Sequence, residues 1–364
     1  MRILVLNLNH IGDSIFVTPS LTALRAAYPD ACVTQVTSAP TMPLFEHDPR
    51  LNHMVRRPQG GFRALLACFP AVRRARPFDL ALNFCRNSVA LSLLAGASAA
   101  ATRVGFANTA SARTANRLAQ WTEDGHMAEC LLRVAHAAGA TAAPNRYSVH
   151  VTEQQMAAAA ALLARAGVDP GSRPIAVAVG ASTQVKKWPA ERFGVLASEL
   201  SRTESVPVVA VGGRADLQLQ QTAMARADGR LVPLCGLADV GTTAAILAHC
   251  RLLVANDTGP LHMGAAVGTP TLGLFGPTNP TRTGPYAPGC AAIRHNQACA
   301  ACATGKRRGR HTCMQAIDVE EVVSAARELM RGESGLEAVR SAPSPRPASQ
   351  PPSESASRSR EARS

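Results

Sequence analysis

The sequence predicts an α/β protein built from two doubly wound, Rossmann-like domains facing a cleft, followed by a disordered tail. Three observations carry this. At 364 residues the chain exceeds one ordinary core and suits two. Short Val-, Ile- and Leu-rich runs alternate with longer segments of helical period, the rhythm of parallel sheets covered by helices. That rhythm starts afresh after "RAGVDPGSR" (165–173), where Gly, Asp and Pro cluster ahead of a new apolar strand. The domains are therefore expected at 1–165 and 166–330, with the tail at 331–364.

In the first half, strands are expected at 3–8, 32–37, 80–84 and 103–106. Helical stretches fall between them: 14–28, with Ile15, Leu21 and Leu24 on one face, and 62–75. In the second half, strands are expected at 175–179, 206–211, 231–234, 252–255 and 271–275, and helices near 189–202, 215–227, 240–249 and 259–267. After Gly332 the chain turns to Ser, Pro, Arg and Glu, a composition that cannot bury a core.

Composition narrows the function classes. The formal charge is +13, and the Arg and Glu of the tail supply only +2 of it. A positive field of that size favours anionic partners. Aromatics are 4%, too few for base-stacking platforms, and no helix-turn-helix or zinc-finger pattern occurs, so nucleic acid is not expected as a partner. Most of the ten cysteines are scattered through apolar segments, as buried free thiols of a reducing cytoplasm would be. The opening "MRILVLNLNHIGD" is interrupted by Asn7, Asn9 and His10 and reads as a first strand rather than a signal peptide. "VALSLLAGASAAA" is too short to span a bilayer. A soluble, cytoplasmic protein is expected.

Three strand-to-helix bends carry polar groups where ligands of open α/β sheets bind. In "NLNHIGDSIFVTPSL", Asp13 follows the glycine turn at Gly12, and is either a helix N-cap or a base at the mouth of the helix. In "VAVGASTQVKKWPAERF", the small residues around Ser182 admit backbone amides to a phosphate. Lys186 and Lys187 add charge, or form a solvated pair before a helix. In "NDTGPLHMGAA", Asp257, Thr258 and Gly259 crowd a helix N-terminus and His262 follows on the same face as Thr258. Four polar or permissive residues after a buried strand favour an anionic ligand there.

A fourth group is Cys290, Cys299, Cys302 and Cys313, with His295 and His311 nearby. Cys-x-x-Cys is half a zinc site and a second close pair is missing, so no metal is expected, and Cys299, Cys302 and Cys313 stand as weak candidate ligands. The basic run 306–310 reads as a solvated loop.

Taken in order, "GD…TPSL…LRAAYPDA", "GAS…KKWPAERF", "NDTGPLHMGAAVGTP", "LFGPTNPTRTGP" and "C…C…CM…I…VEEV" resemble family 9 glycosyltransferases, the lipopolysaccharide heptosyltransferases, over about residues 1–330. The resemblance implies a GT-B fold, with an N-terminal acceptor domain, a C-terminal nucleotide-sugar domain and a last helix at 319–330 returning to the N-terminal domain. It implies inverting transfer of heptose from ADP-heptose to the lipopolysaccharide core, at the cytoplasmic face of the inner membrane as a peripheral enzyme. Asp13 falls on the family's base, Lys186 with its neighbour Lys187 on the phosphate-contacting lysine, and Asp257, Thr258, Gly259 and His262 on the diphosphate and sugar contacts. Asp216, in "VGGRAD", stands where a ribose-binding glutamate is expected, and Asn279 where Asp is common. One cysteine of the family's terminal cluster is absent.

Such a transfer passes through an oxocarbenium-like state and needs a base on the acceptor side. Lys186 and helix amides can stabilise the departing diphosphate, so no cofactor is required. The arginines at 56, 57, 63, 73, 74 and 76 concentrate charge suited to an anionic acceptor and an inner-leaflet surface. Rival readings keep the fold and change the sugar, or make the chain a catalytically silent nucleotide-sugar binder.

Overall fold

The computed structural model describes residues 1–8, 10–58, 67–295, 299–303, 312–332 and 339–341. Two parallel sheets form the frame. The first holds β1 (Arg2–Leu6), β2 (Cys32–Ser38), β3 (His53–Arg57), β4 (Leu80–Asn83), β5 (Thr102–Phe106) and β6 (Arg117–Ala119), in spatial order 3-2-1-4-5-6. The second holds β7 (Ile175–Ala178), β8 (Val208–Ala210), β9 (Leu231–Pro233), β10 (Leu252–Asn256), β11 (Thr271–Phe275), β12 (Cys290–Arg294) and β13 (Val339–Ser341), in order 13-12-11-10-7-8-9. Counted from β7, the second sheet repeats the order of the first and adds β13 at its edge.

In each sheet the strand order reverses beside its first strand, between β1 and β4 and between β7 and β10. Loops leaving the carboxyl ends there run to opposite faces and open a crevice. The strands flanking the reversal are the most apolar. β7 is buried throughout, as is β10, because helices cover both sheet faces. The edge strands β3 and β6 carry arginines and few apolar residues, so hydrophobic runs do not announce them.

The helix expected over 14–28 is two helices, Ile11–Ile15 and Thr18–Ala27. Pro19 sits in the first turn of the second, where its missing N–H costs nothing, and it could not have been accommodated inside one continuous helix. The helix expected over 62–75 is present as Cys68–Arg74, and positions 62–66 of the expectation lie outside the described residues. Val240–His249 matches the expected span.

Two expectations about domain assignment are corrected. Helix Val319–Met330 packs on the second sheet, not on the N-terminal domain. Its Val322, Ala325, Ala326 and Leu329 share a core with Phe193, Leu196, Leu274 and Ile293. Arg327 Nε donates to Glu204 Oε1 at 3.1 Å, fixing it to helix Ala190–Glu204. The physical reason is local: the preceding segment is already tied to the second domain through Trp188 Nε1, which donates to the carbonyl of Ile317 at 2.9 Å. Helix Glu153–Arg165 lies against Val240–His249, with His249 Nε2 3.3 Å from the Met156 carbonyl. The chain therefore crosses between the sheets ahead of this helix, not after it.

Of the expected disordered tail, the structure describes 331, 332 and β13, and the rest lies outside the described residues. None of the ten cysteines forms a disulfide. Among the described residues no helix is long and apolar enough to cross a membrane.

Candidate functional site

Both crevices open onto a single cleft of about 1190 Å³, lined from the carboxyl ends of both sheets. On the N-terminal side, β1 leads into helix Ile11–Ile15. The cap of that helix is His10, whose backbone is extended, so Asp13 is not the cap and stands in the first turn. No hydrogen bond from another described residue ties its carboxylate. Burial raises its pKa above the ordinary carboxylate value, against the lowering fields of His10 and Lys186, while Asp257 adds a smaller raise. An untied carboxyl group of raised pKa, facing a cleft, suits proton abstraction.

Gly12 is required by packing. A Cβ there would lie 2.6 Å from His262 Cδ2, so the two domains meet at the glycine. Across the same contact, a Cβ on Gly259 would lie 3.2 Å from Ile11. Phe16 meets the His262 ring edge-on with centroids 4.9 Å apart.

On the C-terminal side, β10 runs into Asp257 and then into helix Gly259–Ala266. Lys186 Nζ pairs with Asp257 Oδ2 at 2.7 Å, with the carboxylate almost fully buried. Thr258 caps the helix in extended backbone and its side chain makes no capping bond; Pro260 has no N–H and the Leu261 amide donates to the Thr258 carbonyl at 3.1 Å, so the Gly259 amide is the first-turn group that can face an anion. His262 is buried, with Nε2 3.9 Å from Asp257 Oδ1 and Nδ1 without a partner. Burial lowers its pKa to about 4 against the opposing pull of Asp257, so the imidazole is neutral.

Asp216 reaches the same cleft from the turn after β8. Its Oδ2 accepts from the Gly213 amide at 2.9 Å, and a Cβ on Gly180 would lie 2.0 Å from its Oδ1. The Gly180 position must be glycine because the carboxylate lies against that backbone. Ser182 is exposed at the cleft wall. Lys187 is not among the residues lining the cleft, although Lys186 is. The structure thus brings together Gly12, Asp13, Ser182, Lys186, Asp216, Asp257, Thr258, Gly259 and His262, and leaves Lys187 aside.

Three further residues were not singled out by sequence. Asn256, fully buried at the end of β10, donates through Nδ2 to the carbonyls of Val179 (2.9 Å) and Gly180 (3.3 Å) and accepts from the Trp188 amide (3.0 Å). It ties both phosphate-side loops to the strand. An Asn closing an apolar strand was the available signal. Thr278 lines the cleft with a buried Oγ1 that has no partner among the described residues. Arg57, counted only among the basic residues, is buried at the end of β3 and lines the cleft, its Nη2 without a partner among the described residues. Arg56, Arg73 and Arg74 are exposed, and Arg63 lies outside the described residues. Asn279, which replaces the commoner Asp, accepts from the Thr281 amide at 3.1 Å as a helix cap, a role either residue fills.

Cys299, Cys302 and Cys313 come together, with their sulfur atoms all within 4.8 Å of one another. Cys290 stands apart from them, and His295 pairs with Glu321 at 2.8 Å. His311 and the basic run 306–310 lie outside the described residues.

Comparison with known proteins fits this geometry. Residues 71–311 match the model of the family described as glycosyltransferase family 9 (heptosyltransferase). A curated relative, lipooligosaccharide heptosyltransferase 2 of Campylobacter jejuni, is 27% identical over 167 residues. That match covers 44% of this chain and 52% of the relative, so the chain spans about half the length of the curated relative it matches. Among solved structures, a family 9 glycosyltransferase from Veillonella parvula superposes with a TM-score of 0.80 at 25% identity, covering 91% of this chain and 97% of that one. ADP-heptose lipopolysaccharide heptosyltransferase II of Escherichia coli superposes with a TM-score of 0.75 at 22% identity, covering 92% and 99%, and shares the fold.

Proposed function

We propose that this chain, which belongs to glycosyltransferase family 9, transfers a heptose from ADP-heptose to the inner core of lipopolysaccharide, inverting the anomeric carbon. Its two doubly wound domains are of the GT-B type. The observation that carries the reading is the placement of the Asp13 carboxylate, untied by any other described residue, opposite a donor wall that holds Lys186 and a helix N-terminus in one cleft.

In this reading the acceptor hydroxyl loses its proton to Asp13 as its oxygen bonds the anomeric carbon. The bond from that carbon to the diphosphate oxygen breaks on the opposite face, and ADP leaves with the electron pair. Lys186 and the Gly259 amide at the start of helix Gly259–Ala266 take up the developing charge without a metal ion in the step. Asp216 lies where a ribose hydroxyl can be held beside Gly180. Neutral His262 and Asp257 supply a donor and an acceptor for sugar hydroxyls. The contact of Gly12 with His262 represents the domains closed on each other, which excludes the water that would hydrolyse the donor.

The acceptor is anionic in this reading, a Kdo-containing lipid A core, received on the side where Arg57 lines the cleft. Exposed Arg56, Arg73 and Arg74 then face the anionic cytoplasmic leaflet, where the enzyme works as a peripheral protein. The test is ADP release from ADP-heptose on adding a delipidated Kdo-containing core. Acceptor-dependent release supports the reading. Donor binding without release from any core acceptor supports a silent binder, and release only from another nucleotide-sugar replaces heptose while keeping the fold and base.

A further inference from the structure

Behind the cleft a second set of contacts joins the two domains. Given the transfer proposed above, we infer that His126 is a positioning residue: it holds the Thr278–Thr283 edge of the donor wall in register with the helix that carries Asp13. His126 caps helix Met127–Ala137, and its Nδ1 accepts the Ala128 amide at 3.1 Å, so the ring proton resides on Nε2. Nε2 then donates across the domain boundary to the Gly284 carbonyl at 3.1 Å. Gly284 follows directly on Thr283, which lines the cleft together with Thr278. On its other side the His126 ring meets Phe16 edge-on, with centroids 5.8 Å apart. Phe16 lines the cleft in the turn after Asp13, and its amide donates to the Gly12 carbonyl at 3.1 Å. His126 thus stands between the base and the loop that borders the donor.

A helix cap requires only Nδ1, and Asn or Ser supplies such an acceptor as well. The cap leaves the far side of the ring unexplained. There the Gly284 carbonyl receives a second donor, the Tyr147 hydroxyl, at 3.2 Å. Tyr286 stacks on His126 with centroids 4.5 Å apart and planes at 17°. The Tyr286 hydroxyl donates to Glu129 Oε1 at 3.2 Å, and Glu129 Oε2 accepts the His126 amide at 3.3 Å. Arg282 Nη1 donates to the Gly125 carbonyl at 3.2 Å. Arg282, Gly284 and Tyr286 are therefore pinned around the start of one helix of the other domain, while Thr283 between them lines the cleft.

Burial lowers the His126 pKa to about 4, so the imidazole is neutral and Nδ1 stays an acceptor. The ring takes no part in bond making. Its effect is on geometry, and displacing reacting groups by about 1 Å can cost about 10²-fold in rate.

The test separates the cap from the bond across the boundary. His126→Asn keeps an acceptor for the Ala128 amide and cannot reach Gly284. His126→Gln places a donor near the former Nε2 and gives up the cap. The positioning role predicts opposite orders: Asn the more stable in urea, Gln the more active. In His126→Asn, kcat is expected to fall about 10–10²-fold while ADP affinity, read by calorimetry, stays within about twofold. A readout independent of turnover is tryptic cleavage after Arg146, which is exposed and precedes buried Tyr147. The Tyr147 amide donates to the Tyr286 carbonyl at 2.9 Å, so wild type resists the cut, and His126→Asn is cleaved there at least about fivefold faster. Should that variant fail to fold, Tyr286→Leu removes the stack from the opposite side and is expected to show the same pair of effects. Activity that follows stability across the variants, an unchanged kcat in His126→Asn, equal losses of kcat and ADP affinity, or unaltered cleavage each overturns the assignment. A wild type that transfers no sugar overturns the transfer reading instead, and the cleavage rate then decides whether His126 holds the domain boundary.

Discussion

The two sheets share strand order and parallel sense, yet the acids at their reversal points are treated in opposite ways. The Asp13 carboxylate, after β1, has no hydrogen bond from another described residue and is pushed upward in pKa by burial. Asp257, after β10, is more deeply buried and is locked to Lys186 at 2.7 Å. One topology therefore serves two purposes: the N-terminal crevice presents a group free to take a proton, and the C-terminal crevice presents a fixed charge pattern. The difference comes from neighbours, not from the residue type. Lys186 reaches Asp257 because Asn256 holds the Lys186–Trp188 segment against β10, and among the described residues no cation is hydrogen-bonded to Asp13 at the β1 exit.

The sharpest way to break the comparison is Asp13→Asn. It removes the only free member and is expected to lower kcat about 10²–10⁴-fold while donor affinity, read by calorimetry, is kept. An equal loss of donor affinity would place Asp13 on the donor wall instead. The pH profile sharpens the same point. A base works only when deprotonated, so kcat/KM falls as pH drops through the raised Asp13 pKa, and the acid limb lies above the ordinary carboxylate range. His262, held near 4, adds no inflection between about pH 5 and 8. An inflection there that disappears in His262→Gln would contradict its neutral role.

Lys186→Ala tests the locked member. It leaves Asp257 buried without its partner and removes the charge facing the leaving group, with an expected loss of about 10²–10³ in kcat and weakened ADP binding. Unchanged ADP affinity would detach Lys186 from the diphosphate. Gly12→Ala is next: its methyl meets His262 at 2.6 Å and holds the domains apart, costing up to about 10²-fold in kcat through misplacement of Asp13. If ADP still binds normally while turnover falls, the effect belongs to closure.

Smaller still is Asn256→Ala, which removes three hydrogen bonds and is expected to cost about 1–3 kcal/mol in urea unfolding, with a raised donor KM. Asn279→Asp keeps the cap and should change stability by only about a few tenths of a kcal/mol.

The sequence alone determined the α/β class, the repeat of one domain plan, and the three polar bends at the cleft, since every residue it singled out in those bends except Lys187 lines that cleft. Apolar strands such as β7 and β10 announce themselves because both their faces are covered, and glycine-rich bends mark where their chains turn. Polar edge strands such as β3 carry no such signal, since half their surface needs no apolar partner. Tertiary structure decided what local pattern leaves open. It made His10 and not Asp13 the helix cap, set Lys186 on Asp257 and left Lys187 aside, and kept the last helix on the second sheet. It also folded Cys299, Cys302 and Cys313 into one cluster. The Lys186–Asp257 pair and the seat of the last helix depend on groups far apart in the chain, Lys186 and Asp257 by 71 positions, and short-range periodicity says nothing about which of them will meet.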